Sequence, residues 1–193
     1  AVAEAVAKKY PDKLILTGAY ADYVKPPLRV DPAPNVSIFY APWFWNSRTT
    51  SAVSFDHPLN VTAMKELMTW CMRYPGQIAL YDYPGSLGYG AALRTKLYAR
   101  HGVRVIYYNG ARGSEMQWMA SRITWDPFLD PEVLEEEFVK GYYGPAAGPM
   151  LKYYRLRQRM IERWGTHHRA VFVQRRSMPP AAPPEYYAKA WEL

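Results

Sequence analysis

Aromatic and carboxylate side chains collect where four apolar runs of the chain end. Tyr20 and Asp22 lie at and just after the end of 14–20. Trp43, Trp45 and Asn46 follow 35–41. Asp82 and Tyr83 close 78–83, and Tyr108, Asn109 and Glu115 lie at and beyond the end of 103–109. Aromatic faces stack on the C–H face of a pyranose, while carboxylates and amides exchange hydrogen bonds with its hydroxyls. The competing reading is that rings near strand ends merely close a core. Hydrolysis of a glycoside generally takes two carboxylates, about 5–5.5 Å apart for retention and about 6.5–9.5 Å for inversion. Asp82 and Glu115, on adjacent strand ends, are the best pair in the chain. Each also has an ordinary structural role open to it. Asp82 can hydrogen-bond a neighbouring loop, and Glu115 can sit in the first turn of a helix, where the dipole favours a carboxylate. Substrate binding is preferred over catalysis for both.

Other groups carry weaker signals. Asp22 and Asp56 lie in proline-flanked loops. His57, in Phe55-Asp56-His57-Pro58, is placed to orient a sugar hydroxyl, to pair with Asp56, or simply to pin its loop. His101 precedes Gly102 at a helix end, a usual capping place. Pro84-Gly85-Ser86-Leu87-Gly88-Tyr89-Gly90 follows a strand and precedes a helix, but lacks the Lys-Ser/Thr of a phosphate loop and the dinucleotide glycine spacing. No spacing supports a zinc site, and no cofactor is implied. Asn35-Val36-Ser37 and Asn60-Val61-Thr62 match the N-glycosylation pattern, which recurs by chance.

Composition narrows the class. The 193 residues are 49% apolar and 21% charged, which rules out wholesale disorder. No apolar run reaches the length of a transmembrane helix. A single cysteine, Cys71, excludes an internal disulfide. The net charge of +7 is uneven: residues 1–150 carry 15 Lys and Arg against 14 Asp and Glu, whereas 151–193 carry 9 against 3. A near-neutral body suits uncharged or mildly charged ligands better than a polyanion. The basic stretch, with Arg155, Arg157 and Arg159 among its cations, reads as a solvated helix face and linker, with RNA binding the less favoured alternative.

The positioning elements alternate. Strand-length apolar runs at 14–20, 35–41, 78–83 and 103–109 are interleaved with helical patterns at 61–74 and 91–101, and a helix is expected over 1–10. Met64, Leu67, Met68 and Cys71 fall at helical spacing. Ser114 is expected to cap a helix running to about Trp125. Asp130-Pro131-Glu132 starts another, and 146–164 reads as a third. The alternation predicts an α/β fold with a parallel sheet: about four strands, forming the C-terminal half of a (β/α)8 TIM-type barrel, followed by helices and a linker. The expected division is a half barrel over 1–164, a Pro-rich basic linker over 165–185, and the start of a further helix over 186–193. Both ends read as mid-helix, so a fragment of a longer protein is expected, with the missing half supplied by absent sequence, a second chain or self-association.

A resemblance supports this. Ile123-Thr124-Trp125-Asp126-Pro127, Asp130-Pro131-Glu132, Glu137-Phe138 and Gly141-Tyr142-Tyr143-Gly144-Pro145-Ala146-Ala147 resemble the end of the barrel in a glycoside-hydrolase-like family catalogued as a domain of unknown function. That family occurs in bacterial polysaccharide-degrading proteins and is related in fold to α-glucuronidases and β-hexosaminidases. The opening segment from Val2 to Lys13, Tyr20 with Lys25-Pro26-Pro27, His57-Pro58-Leu59 and Gly113-Ser114-Glu115 also match, so the likeness covers roughly 1–160. The family's upstream cysteine cluster and acidic segment have no counterpart here. The resemblance implies a carbohydrate-active hydrolase acting on an oligosaccharide or polysaccharide, outside the cell or in the periplasm, with its main catalytic acids outside these residues. Two alternatives remain: a non-catalytic module that pairs with another chain through open sheet edges, and nucleic-acid binding through the basic stretch.

Overall fold

A computed structural model describes residues 1–42, 56, 58–84, 88–110 and 113–164. The elements, in chain order, are α1 (Val2–Lys9), β1 (Ile15–Ala19), β2 (Val36–Tyr40), α2 (Val61–Arg73), β3 (Ile78–Asp82), α3 (Gly88–Arg100), β4 (Ile106–Tyr108), α4 (Ser114–Trp125), α5 (Pro131–Tyr143) and α6 (Ala147–Trp164). Short 3-10 turns occupy Ala21–Tyr23, Pro58–Asn60 and Gly144–Ala146. The four strands form one parallel sheet in the order β1-β2-β3-β4. The chain is therefore α/β, as expected. The expected linker over 165–185 and the segment 186–193 lie outside the described residues.

Strand order decides where the helices go. A parallel crossover is right-handed in nearly every protein, so consecutive strands laid side by side send their connecting helices to one face of the sheet. The packing agrees. Val36, Ile38 and Tyr40 of β2, Ile78 and Leu80 of β3 and Ala19 of β1 share one core with Leu67 and Trp70 of α2 and with Leu97 and Tyr98 of α3. The strand members of that core alternate along each strand, as the two-residue pleat requires.

Local chemistry sets the helix ends. Asp130 caps α5, its carboxylate accepting from the Glu132 amide at 2.8 Å, and Pro131 occupies the first helical position. The expected cap at Ser114 shifts by one: Gly113, at a φ of 85°, precedes α4, and Ser114 is already helical with no capping hydrogen bond. Along α2 the buried stripe is Ala63, Leu67 and Trp70, while Met64, Met68 and Cys71 flank it half-buried. Trp70 sets this phase because its indole N–H donates to the Val24 carbonyl at 2.7 Å, which also ties down the proline-rich β1–β2 connection.

Leu80 is wholly buried at the centre of the sheet. Leu80→Ala is expected to cost about 2–5 kcal/mol in urea unfolding, against about 1 kcal/mol for removing the α5 cap with Asp130→Ala.

Candidate functional site

The face of the sheet opposite the helices is aromatic. Tyr81 packs edge-on to Phe39 at 5.7 Å between ring centres, tilted against Tyr107 at 4.9 Å and edge-on to Tyr83 at 5.4 Å. None of these rings enters the core beneath the helices. Tyr107 and Leu16, on the same face, are half exposed or more.

At the C-terminal ends of three strands this face carries a hydrogen-bonded chain. Tyr20, in extended backbone just past β1, continues the pleat to the side opposite buried Ala19. Tyr83 follows β3. Asn109 follows β4, its amide prolonging the ladder by donating to the Asp82 carbonyl at 2.8 Å. Burial, and then the hydrogen bond to Tyr20, push the Tyr83 phenol far above its ordinary range, while the bond from Asn109 opposes the rise. The signs give the directions: the Asn109 side chain donates to the Tyr83 oxygen, and the Tyr83 hydroxyl donates to Tyr20. Tyr83 is thus neutral and held from both sides. Ala21, next to Tyr20, has a φ of 51°, the left-handed region that costs a non-glycine residue about 1–2 kcal/mol.

Asp82 and Tyr108 lie on the other face. They are in register with each other and one pleat step from Tyr81 and Tyr107. Asp82 is wholly buried; its Oδ2 accepts from Arg94 Nε at 3.0 Å and from the Tyr98 hydroxyl at 3.1 Å. Burial disfavours the Arg94 guanidinium, but Asp82 outweighs it and holds the Arg94 pKa above its ordinary value. Burial also raises the Tyr108 phenol, which hydrogen-bonds Thr95. Glu115 sits in the first turn of α4 within the helix layer. Its Oε1 accepts from the Gly88 amide at 3.0 Å and its Oε2 from Arg157 Nη2 at 2.5 Å. Gly88 approaches α4 so closely that an added Cβ would lie 2.8 Å from Met119 Sδ and 3.0 Å from the Glu115 carbonyl oxygen. The two candidate catalytic carboxylates therefore answer to separate arginines.

The remaining candidates are dispersed. Asp22 lines an open groove of about 480 Å³ with Tyr23, Lys25, Asp31 and Trp70, beside the helix-facing side of β1. Trp43, Trp45, Asn46 and His57 lie outside the described residues. Both glycosylation patterns are engaged within the fold: the Asn35 amide donates to the Ala3 carbonyl at 2.9 Å, and Asn60 is wholly buried. Arg155 and Arg157 are not free surface cations, since both meet glutamates of α4 and α5. Among the described residues no cluster of His, Cys, Asp and Glu suits a metal, and no helix is long and apolar enough to cross a membrane.

Sequence reasoning missed the row Phe39, Tyr81 and Tyr107, and it missed Arg94. The signal for Arg94 was present: it stands between Ala91 and Tyr98 on the buried stripe of α3, where an unpaired cation is not tolerated. Arg94→Met strands the buried Asp82 carboxylate and is expected to cost about 3–5 kcal/mol in urea unfolding. The double change Asp82→Leu with Arg94→Met should regain most of that loss.

A family model described as a domain of unknown function, DUF4838, matches residues 1–156, so the chain belongs to that family. No curated protein and no solved structure matches the chain.

Proposed function

We propose that this DUF4838 member is part of a glycoside-hydrolase-like protein, its sheet forming the C-terminal half of a (β/α)8 barrel with the aromatic face turned to the lumen. Support comes from the consecutive strand order with helices on one side, the arrangement such a barrel needs. A parallel sheet is ordinarily covered on both faces, and four further strands would cover this one. Function in these barrels gathers at the C-terminal ends of the strands.

The observation that carries the reading is the Tyr20–Tyr83–Asn109 chain at that rim. Three neutral groups, fixed by one another, present ring faces to the C–H face of a sugar and hydroxyl and amide groups to its hydroxyls. Trp43, Trp45, Asn46 and His57 belong to the same rim in this proposal, and the ligand is an oligosaccharide or polysaccharide met outside the cell or in the periplasm. Asp82 and Glu115, each neutralised by an arginine, serve to hold the rim from behind, and the catalytic acids come from the other half of the barrel. A second reading, a module pairing with another chain, draws on the two open edges β1 and β4, beside which Leu16 is 59% exposed. A monodisperse monomer in light scattering would remove it.

The test is calorimetric titration of the complete protein with uronic-acid and hexosamine oligosaccharides. Tyr83→Ala and Tyr20→Ala are each expected to weaken binding about tenfold with the unfolding midpoint little changed. Trp125→Ala, at the far end of α4 and 92% exposed, should leave binding as it was. Absence of binding to every member of the panel, or unchanged affinity in Tyr83→Ala, overturns the reading.

A further inference from the structure

Helices α4, α5 and α6 enclose a charged cluster that plays no part in the sugar reading. Glu135 of α5 is 1% exposed, set among buried Leu134, Phe138 and Val139. Arg155 of α6 has Nε 3.2 Å from Glu135 Oε2 and Nη1 3.1 Å from Glu132 Oε2. Arg157, two residues on, pairs with Glu115 of α4, its guanidinium 4.4 Å from the Tyr154 ring centre. Tyr89 of α3 adds its field at Arg155. Three carboxylates thus face two guanidinium groups. Arg155 is shared, and Glu135 Oε2 lies within ion-pair reach of it without receiving a hydrogen bond.

We propose that this cluster makes the docking of α6 a pH-set clasp, in which protonated Glu135 seats α6 against α4 and α5 and ionised Glu135 loosens it. With all three carboxylates charged, the helix layer holds one buried negative charge in excess of its arginines, and burial makes that charge costly. Burial is the main force on the Glu135 carboxyl. Arg155 opposes it, Glu115 adds to it, Arg157 opposes and Glu132 adds, and together they push the group from 4.5 up to about 7. The docked state therefore binds more protons than the open one. Its stability is greatest below about pH 4.5, falls as pH rises toward 7, and is level above. The clasp reaches the sheet as well. When α6 lifts, Arg157 leaves Glu115, whose other oxygen holds the Gly88 amide at the start of α3.

Hydrogen exchange by mass spectrometry on the chain from about pH 5 to about pH 8, corrected for the intrinsic pH dependence of amide exchange, tests this. The opening constant of residues 147–156 is expected to rise about tenfold per pH unit up to about 7 and then level, with β2 and β3 changing far less. Glu135→Gln should flatten that slope. A flat profile for α6 in the unaltered chain, an unchanged slope in Glu135→Gln, or an equal slope in β2 and β3 overturns the proposal. Should Glu135→Gln fail to fold, Glu132→Gln decides, since its side chain is 60% exposed and its loss frees Arg155 for Glu135. The midpoint must then move to lower pH, and an unmoved midpoint overturns the clasp.

Discussion

The handedness of the β–α–β crossover governs this molecule. Because β1 to β4 are laid down side by side in chain order, each right-handed connection returns over the same face. The apolar side chains of that face meet α2 and α3, and the helices that follow β4 build outward as a second layer, α3 on α4, α4 on α5 and α5 on α6. The opposite face gets no helix from these crossovers. Its side chains are not chosen for solvent, however: Phe39, Tyr81 and Tyr107 form a continuous row of rings across three strands.

Charge is distributed by the same division. The helix side holds the buried ions, each answered by an opposite charge: Asp82 with Arg94, Glu115 with Arg157, and Glu135 with Arg155. Such pairs are poor sources of net stability but strict about geometry, because loss of one partner leaves the other uncompensated in a dry interior. Arg94 spans from α3 to the end of β3, and Arg157 from α6 to the start of α4, so these pairs fix how the helix layer sits on the strands. The rim of the open face is held by neutral hydrogen bonds between Tyr20, Tyr83 and Asn109, groups that retain capacity for a polar uncharged ligand.

Much of the architecture was legible in the sequence, and the reasons are local. Every expected strand forms, each within the residues assigned to it, because short β-branched and aromatic runs bounded by Pro, Gly and Asn have few alternatives. The helix of α5 was marked by its Asp-Pro-Glu start. The facing of the site residues was harder to read. In a parallel strand apolar on both sides, such as Ile-Ala-Leu-Tyr-Asp, alternation gives no phase. Asp82 and Tyr83 are neighbours in the chain, and only the packed structure tells which one looks into the helices and which toward the rim. The partners of the buried carboxylates were opaque for another reason. Arg157 lies 42 residues from Glu115, within a stretch whose composition suggested a solvated surface. Glu135 was legible in principle, as a charge set in the stripe Leu134, Phe138 and Val139.

The adjacency of Asp82 and Tyr83 bears on how such a chain can diverge. Loops absorb inserted or deleted residues, but β3 has no such tolerance, because its side chains swap sides at every step. Losing a single codon from β3 would turn a carboxylate out into the prospective lumen and drive a phenol ring in among Arg94 and Tyr98. Length variation among relatives should therefore be confined to the connections, and the five residues Ile78–Asp82 should keep a fixed count even where their identities drift.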